Sequence, residues 1–307
     1  MFRAVKDITI CVRDVDEAVK TYTEVLGLAK PVVPGVEFSV LRYRRQTLRI
    51  GDITLQLVQP WNDPEGKSVF SRFIQTRGEG TYLVTVAVDN PEQYARGLEA
   101  KGVRVIREAV DSGRPVGGAP RPPSSATRLM IHPRYTHGVL WRVGRPDPTP
   151  TPALPNNAFN RVRTLIIACR DIEATVKTYM DVLGFAEPTR TTNFPNRRES
   201  VLHVGDVRLE IIQPWNDPDG PIARFLQRRG EGLYLIHVDM ADPVAYAKGL
   251  EAKGVSVHWE AARPGVDVAG IEMSQRSQRP PSPEPRVNAM IPPGAAHGVL
   301  WYLDAIR

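Results

Sequence analysis

A carboxylate, an imidazole and a phenol sit on three apolar, strand-like runs in the C-terminal half: Glu210 in VRLEIIQP, His237 in LYLIHVDM and Tyr302 in LWYLDA. Side chains alternate along a strand, so Arg208 shares a face with Glu210, Asp239 with His237, and Asp304 with Tyr302. The tight turn at Gly205 and Asp206 makes a hairpin that adds Val201 and His203 to the Glu210 face. In a half-buried cavity these are the parts for proton transfer, with Glu210 or His237 as base, the other or Tyr302 as acid, and Arg208 holding a carboxylate or an enolate-like oxygen. Plainer readings stand beside this one: Glu210 and Arg208 as a satisfied ion pair, and His237 as a hydrogen-bonded core histidine. A metal site made of His203, Glu210 and His237 uses acceptable ligand types, but their diagonal spacing does not define a coordination geometry.

The elements that carry these residues occur twice. QPWNDPEG at Gln59 returns as QPWNDPDG at Gln213, RGEGTYL at Arg77 as RGEGLYL at Arg229, GLEAKGV at Gly97 again at Gly249, and HGVLW at His137 again at His297. A duplicated module with small loop insertions follows. The stretch Gly144 to Asn157 carries five prolines and no apolar periodicity, which marks a stiff linker. The modules are therefore residues 1–145 and 158–307, with a linker at 146–157. In the first module, Asp7 to Val12 reads as a strand, Asp14 caps a helix that ends at Gly27, and strands follow through Glu37 to Tyr43, Thr47 to Ile50 and Ile53 to Gln59. A second strand, helix and three strands repeat that order from Tyr82 to Val143. The fold class expected is α+β, two tandem modules of paired βαβββ units, each module a curved half-barrel sheet with a cavity. Two long proline- and arginine-rich loops, Ser112 to Ser125 and Arg263 to Pro285, are lids or structureless excursions.

Composition narrows the function classes. The 307 residues hold 40 Lys and Arg against 34 Asp and Glu, a formal charge of +6, without the basic stripe and interleaved aromatics that a nucleic-acid interface needs. No run is long enough to span a membrane, and no secretory signal opens the chain, so the location expected is cytoplasmic. Cys11 and Cys169 lie in apolar strand-like runs of different modules and read as buried free thiols. The partner expected is a small-molecule substrate, with no nucleic acid and no membrane, and a homodimer is an open alternative.

The ordered series VRDVDEAVKTYTEVLGL, TLQLVQP, GEG before a strand and GVLW leading the last strand, found in both modules, resembles the vicinal oxygen chelate superfamily, which takes in glyoxalase, bleomycin resistance and dioxygenase proteins. Methylmalonyl-CoA epimerase and glyoxalase I are the members it looks most like. The resemblance implies a divalent ion held by a His opening the first strand, a Gln or Glu in the fourth, a His in the fifth and a Glu in the eighth. Here those positions fall on Asp7, Gln56, Leu83 and Arg142 in the first module, and on Thr164, Glu210, Leu235 and Tyr302 in the second. One plausible ligand survives in each, so the resemblance implies no metal and no cofactor. It also turns the faces of Glu210, His237 and Tyr302 toward one cavity.

The first pocket then holds Asp7, Thr9, Gln56, Thr85, Arg142 and Arg49, with no inward histidine. Asp7 and Arg142 form an ion pair in place of the metal, or Arg142 binds an anion. The reading taken from the sequence is a metal-independent isomerase or lyase acting by proton transfer in the C-terminal pocket on a small oxygenated, carbonyl-bearing or anionic substrate. Its catalytic residues are Glu210, His237 and Tyr302, and its substrate-binding residues Arg208, His203, Asp239, Arg142, Gln56 and Thr85. The alternative is a non-catalytic protein that sequesters a small molecule. A ring-cleaving dioxygenase needs two His and a Glu on iron, which the family positions do not supply.

Overall fold

A computed structural model describes residues 2–31, 33–109, 113–119, 127–146, 157–261 and 287–305. The expected linker, apart from its two end residues, and the whole Arg263 to Pro285 loop lie outside them, as do both ends of the Ser112 to Ser125 loop.

The first module is one nine-stranded sheet. Its strands are β1 (Ala4–Cys11), β2 (Val36–Phe38), β3 (Tyr43–Ile50), β4 (Ile53–Pro60), β5 (Gly80–Ala87), β6 (Val105–Ala109), β7 (Arg114–Pro115), β8 (Thr127–Ile131) and β9 (Leu140–Gly144). They run in the order β6-β8-β9-β5-β1-β4-β3-β2-β7, open at both ends. The two βαβββ units join through the antiparallel pair of β1 and β5. The second module has β10 (Arg161–Ala168), β11 (Arg190–Asn193), β12 (Arg197–Val204), β13 (Val207–Pro214), β14 (Gly232–Met240), β15 (His258–Ala261), β16 (Val287–Ile291) and β17 (Leu300–Ala305). Their order is β11-β12-β13-β10-β14-β17-β16-β15.

Among the described residues six α-helices accompany the strands: α1 (Val15–Lys20), α2 (Val69–Arg77), α3 (Pro91–Ala100), α4 (Ile172–Lys177), α5 (Pro221–Arg229) and α6 (Pro243–Ala252). Asp14 caps α1 by accepting from the amides of Asp16 and Glu17, as its position before an apolar run predicts. Beyond the predicted pattern, α1 and α4 each widen into a π turn, Thr21–Val25 and Thr178–Val182. No helix of the described residues is long and apolar enough to cross a membrane.

Each sheet packs one face into a core shared by the two modules and keeps its more polar residues on the other, one end of which lies under α2 or α5. The core face carries Ile8, Ile10, Leu55, Leu57, Val84 and Trp141 in one module and Leu165, Ile167, Leu209, Ile211, Ile236 and Trp301 in the other. The modules therefore pair with each other through that shared core. Tyr22 donates to the carbonyl of Ala296 and Tyr179 to that of Thr136, both at 3.2 Å, so the contact repeats with two-fold symmetry.

This pairing accounts for two of the repeated motifs. His137 meets Glu231 at 3.2 Å and Thr178 at 3.3 Å, while His297 meets Glu79 at 3.3 Å and Thr21 at 3.2 Å. Each HGVLW thus locks onto the RGEG of the other module. The glycine is required there: at Gly138 (φ +83°) an added Cβ would lie 1.8 Å from the Glu231 carbonyl, and at Gly298 1.9 Å from that of Glu79. The PWNDP repeats make turns, with Asn62 and Asn216 at positive φ. Trp61 and Trp215 are 41 % and 43 % exposed, each under the guanidinium of Arg44 or Arg198.

Candidate functional site

The face opposite the shared core places one residue from each central strand in register. In the first module Thr54, Asp7, Thr85, Arg142 and Met130 form a row across β4, β1, β5, β9 and β8. In the second, Arg208, Thr164, His237, Tyr302 and Met290 form the equivalent row across β13, β10, β14, β17 and β16. The sequence-based alignment is corrected at the fifth strand: Leu83 and Leu235 belong to the neighbouring row, and Thr85 and His237 stand beside the first- and eighth-strand positions. Leu83 and Thr85, like Leu235 and His237, share a face two residues apart, so alternation alone does not choose between them, and the pairing of β1 with β5 and of β10 with β14 does.

The N-terminal row closes on itself. One Arg142 nitrogen donates to both Asp7 oxygens at 2.7 and 2.8 Å, Arg142 Nε donates to Thr85 Oγ1 at 2.8 Å, and that hydroxyl donates to Asp7 at 2.8 Å. Arg142 and Thr85, expected to hold substrate, are bound to Asp7 instead. Gln56 lies in the next row, with Thr9, Leu83 and Leu140.

The C-terminal row is less completely paired. Thr164 is fully buried and its hydroxyl has no hydrogen-bond partner among the described residues. His237 Nε2 lies 3.8 Å from an Asp304 oxygen, and its ring meets Tyr302 edge to face at 4.5 Å. Glu210, one step along β13 and 2 % exposed, lies 2.6 Å from the Arg208 guanidinium. Burial, reinforced by the Glu199 carboxylate, pushes Glu210 up to about 7, against the pull of Arg208, Arg190 and Arg197. A carboxyl in that range exchanges its proton near neutrality.

Two expected members are placed elsewhere. His203 pairs with Arg208 across the hairpin end, is exposed and contacts Thr189 at 3.3 Å, while Val201 faces Glu210. Asp239 is fully buried, with Arg161 at 2.6 Å and Arg163 at 3.4 Å, and Arg163 continues to Asp304 at 2.5 Å. Both arginines hold its oxygens at the sheet end. Glu199, 1 % exposed and held by Arg190 and Arg197, escaped the sequence reading. Alternation from Val201 and His203 along β12 points to it. An open groove of about 370 Å³ lies elsewhere, between Ile172, Val176 and Met180 and the β-strand residues Thr191, Arg198 and Ser200. None of the expected site residues lines it.

The donor set does not fit a bound metal. The N-terminal row has a guanidinium at its centre, the C-terminal row offers one imidazole and a phenol, and the nearby Glu210 is engaged by Arg208. Among the described residues no three His, Cys, Asp or Glu side chains converge.

No curated protein sequence matches the chain. Two solved structures overlay 99 % of it: a substituted variant of 4-hydroxymandelate synthase from Streptomyces coelicolor, at 15 % identity, TM-score 0.66 and 92 % of that chain, and a fusion of a xylose isomerase-like TIM barrel with 4-hydroxyphenylpyruvate dioxygenase, at 14 % identity, TM-score 0.63 and 49 % of that chain. Methylmalonyl-CoA epimerase from Mycobacterium tuberculosis overlays half of the chain and 93 % of its own, at 23 % identity and a TM-score of 0.39, too low to carry an argument.

These findings correct the metal-independent isomerase or lyase. That expectation rested on Glu210, His237 and Tyr302 as proton-transfer groups, whereas proteins named as a synthase and a dioxygenase overlay the whole tandem chain. Its metal-free premise also used a ligand register that is two residues off in the fifth strand. At these identities the likeness itself establishes the fold. A family model described as Glyoxalase/Bleomycin resistance protein/Dioxygenase superfamily matches residues 4–115 and 159–270, one match for each module. With two rows in register on two paired sheets and two matches to one model, the chain belongs to the Glyoxalase/Bleomycin resistance protein/Dioxygenase superfamily.

Proposed function

We propose that this chain is an enzyme acting on a small oxygenated organic acid at the C-terminal row, with Glu210 as the ionisable group that governs binding and turnover. The observation that carries the reading is the buried Glu210 carboxyl held at about 7 beside Arg208. When Glu210 is ionised, Arg208 is committed to it; when Glu210 takes a proton, the guanidinium is released to a substrate carboxylate. The unpartnered Thr164 hydroxyl and the His237 and Tyr302 rings supply the polar wall against which the substrate oxygens are oriented. This reading assigns no isomerase or lyase chemistry and routes no step through a metal.

The test uses 4-hydroxyphenylpyruvate and 4-hydroxymandelate, compounds that appear in the names of the full-length structural neighbours. Affinity is measured by calorimetry from pH 5 to 9, and consumption by chromatography. Binding should strengthen as pH falls through about 7 in the wild type, and become independent of pH in Glu210→Gln. Because that variant leaves Arg208 without a charged neighbour on β13, it should bind at pH 8 about as tightly as the wild type does at pH 5. Binding that ignores pH in the wild type, or a Glu210→Gln variant that keeps the wild-type pH dependence, defeats the proposal.

A further inference from the structure

We infer that the inner face of the N-terminal module is a second binding site, built to take a small organic carboxylate on Arg45 and Arg128. Equivalent positions of the two modules carry opposite charges there. Arg45 pairs with Val58 across β3 and β4, and the residue at the same register in the second module, paired with Ile212 across β12 and β13, is Glu199. Glu199 has its counterions within the chain, in Arg190 and Arg197. Arg45 does not: among the described residues it makes no ion pair, and its Nε is buried with no hydrogen-bond partner.

The neighbours of Arg45 deepen the deficit. Its guanidinium lies 4.9 Å from the centre of the Phe38 ring, and that of Arg128 6.0 Å from the same ring. Phe38 stacks on Tyr43 at 4.4 Å, and the Arg128 charge favours ionisation of the Tyr43 hydroxyl against its burial. Of the two carboxylates nearby, Asp7 is fully engaged by Arg142 and Thr85, and Glu108 reaches only Arg128, at 3.7 Å. Three guanidiniums therefore face two carboxylates, and burial together with the charges of Arg128 and Arg142 lowers the Arg45 pKa against the opposing pull of Tyr43 and Asp7. A half-buried cation with no ion pair among the described residues is costly, and a ligand carboxylate supplies what those residues omit. Phe38 backs both guanidiniums and holds their planes in place, so little order is lost when a planar anion docks.

The inference is independent of the C-terminal proposal and has its own experiment. Benzoate is titrated into the full chain by calorimetry, with benzyl alcohol as the uncharged probe and inorganic phosphate as the alternative anion. Benzoate should bind and the other two should not. Arg45→Met should weaken benzoate at least tenfold, while Arg198→Met, which removes the same charge from the surface of the other module, should leave affinity within twofold. Arg45→Lys, which keeps the charge and loses the planar fork, gives the same readout if Arg45→Met does not fold, with an intermediate loss. Without ligand, the melting temperature of Arg45→Met should match or exceed that of the wild type, since an unpaired buried charge is gone. No benzoate binding at millimolar concentration, equal binding of benzyl alcohol, preference for phosphate, unchanged affinity in both Arg45 variants, or a large fall in ligand-free melting temperature in both would each overturn the site.

Discussion

The row Asp7–Thr85–Arg142 and the row Thr164–His237–Tyr302 occupy the same strands of duplicated sheets, yet they treat charge in opposite ways. The first neutralises itself: a guanidinium, a carboxylate and a hydroxyl bond one another completely. The second leaves a buried hydroxyl unpartnered and has beside it a carboxyl that titrates near neutrality. Two rows further out the contrast reverses, with Glu199 satisfied by two arginines and Arg45 without an ion pair among the described residues. The duplicated scaffold thus carries two different charge arrangements on equivalent strands.

The largest effect should come from breaking the closed row. Arg142→Met strands Asp7, a buried carboxylate, and should cost about 3–5 kcal/mol of stability in denaturant unfolding. Adding Asp7→Asn should recover much of that loss, since both charges are then gone. If Arg142→Met is as stable as the wild type, the row is not held by its ion pair and the two modules do not differ in the way proposed.

A smaller effect of opposite sign is expected at Glu210. Its pKa is raised in the folded chain, from the ordinary 4.5 to about 7, so the folded state binds more protons than the unfolded state between those values. Stability from this group is full below about pH 4.5 and is lost as pH rises through about 7. Glu210→Gln removes that slope, and should be more stable than the wild type at pH 8 by at most about 3 kcal/mol, with little difference at pH 5. Parallel stability curves for the two proteins from pH 5 to 8 would show that Glu210 is not a strained buried acid.

Away from the rows the modules should behave alike. Trp61→Ala and Trp215→Ala remove half-exposed rings that carry an arginine, and each should change stability by less than about 1 kcal/mol. A large effect from one and not the other would extend the asymmetry to the turns.

The duplication, the helix caps, the hairpins and the strand-helix order could all be read along the chain, because each is a local pattern: Asp14 before an apolar run, Gly51 and Asp52 in a tight turn, and alternation along VRLEIIQP. Alternation also placed Glu210 with Arg208. It could not choose between Leu235 and His237, which share a face two residues apart, because only the pairing of β10 with β14 puts His237 opposite Thr164. It gave His203 the Arg208 face, and only the place of that pair at the hairpin end leaves His203 exposed. The repeated His137 and His297 read as turn residues, and their partners Glu231 and Glu79 lie in the other module, too far along the chain for any local pattern to connect them.

By itself the sequence determined that this protein is two copies of one α+β module with titratable residues on its strands, since periodicity and turn chemistry are properties of neighbouring residues. Only the tertiary structure decided which charges are cancelled and which are left over. Whether Arg142 is a ligand-binding group or the counterion of Asp7, and whether Arg45 has a partner at all, depends on distances across strands. Desolvation and Coulomb interaction act through space, with no regard for position along the chain.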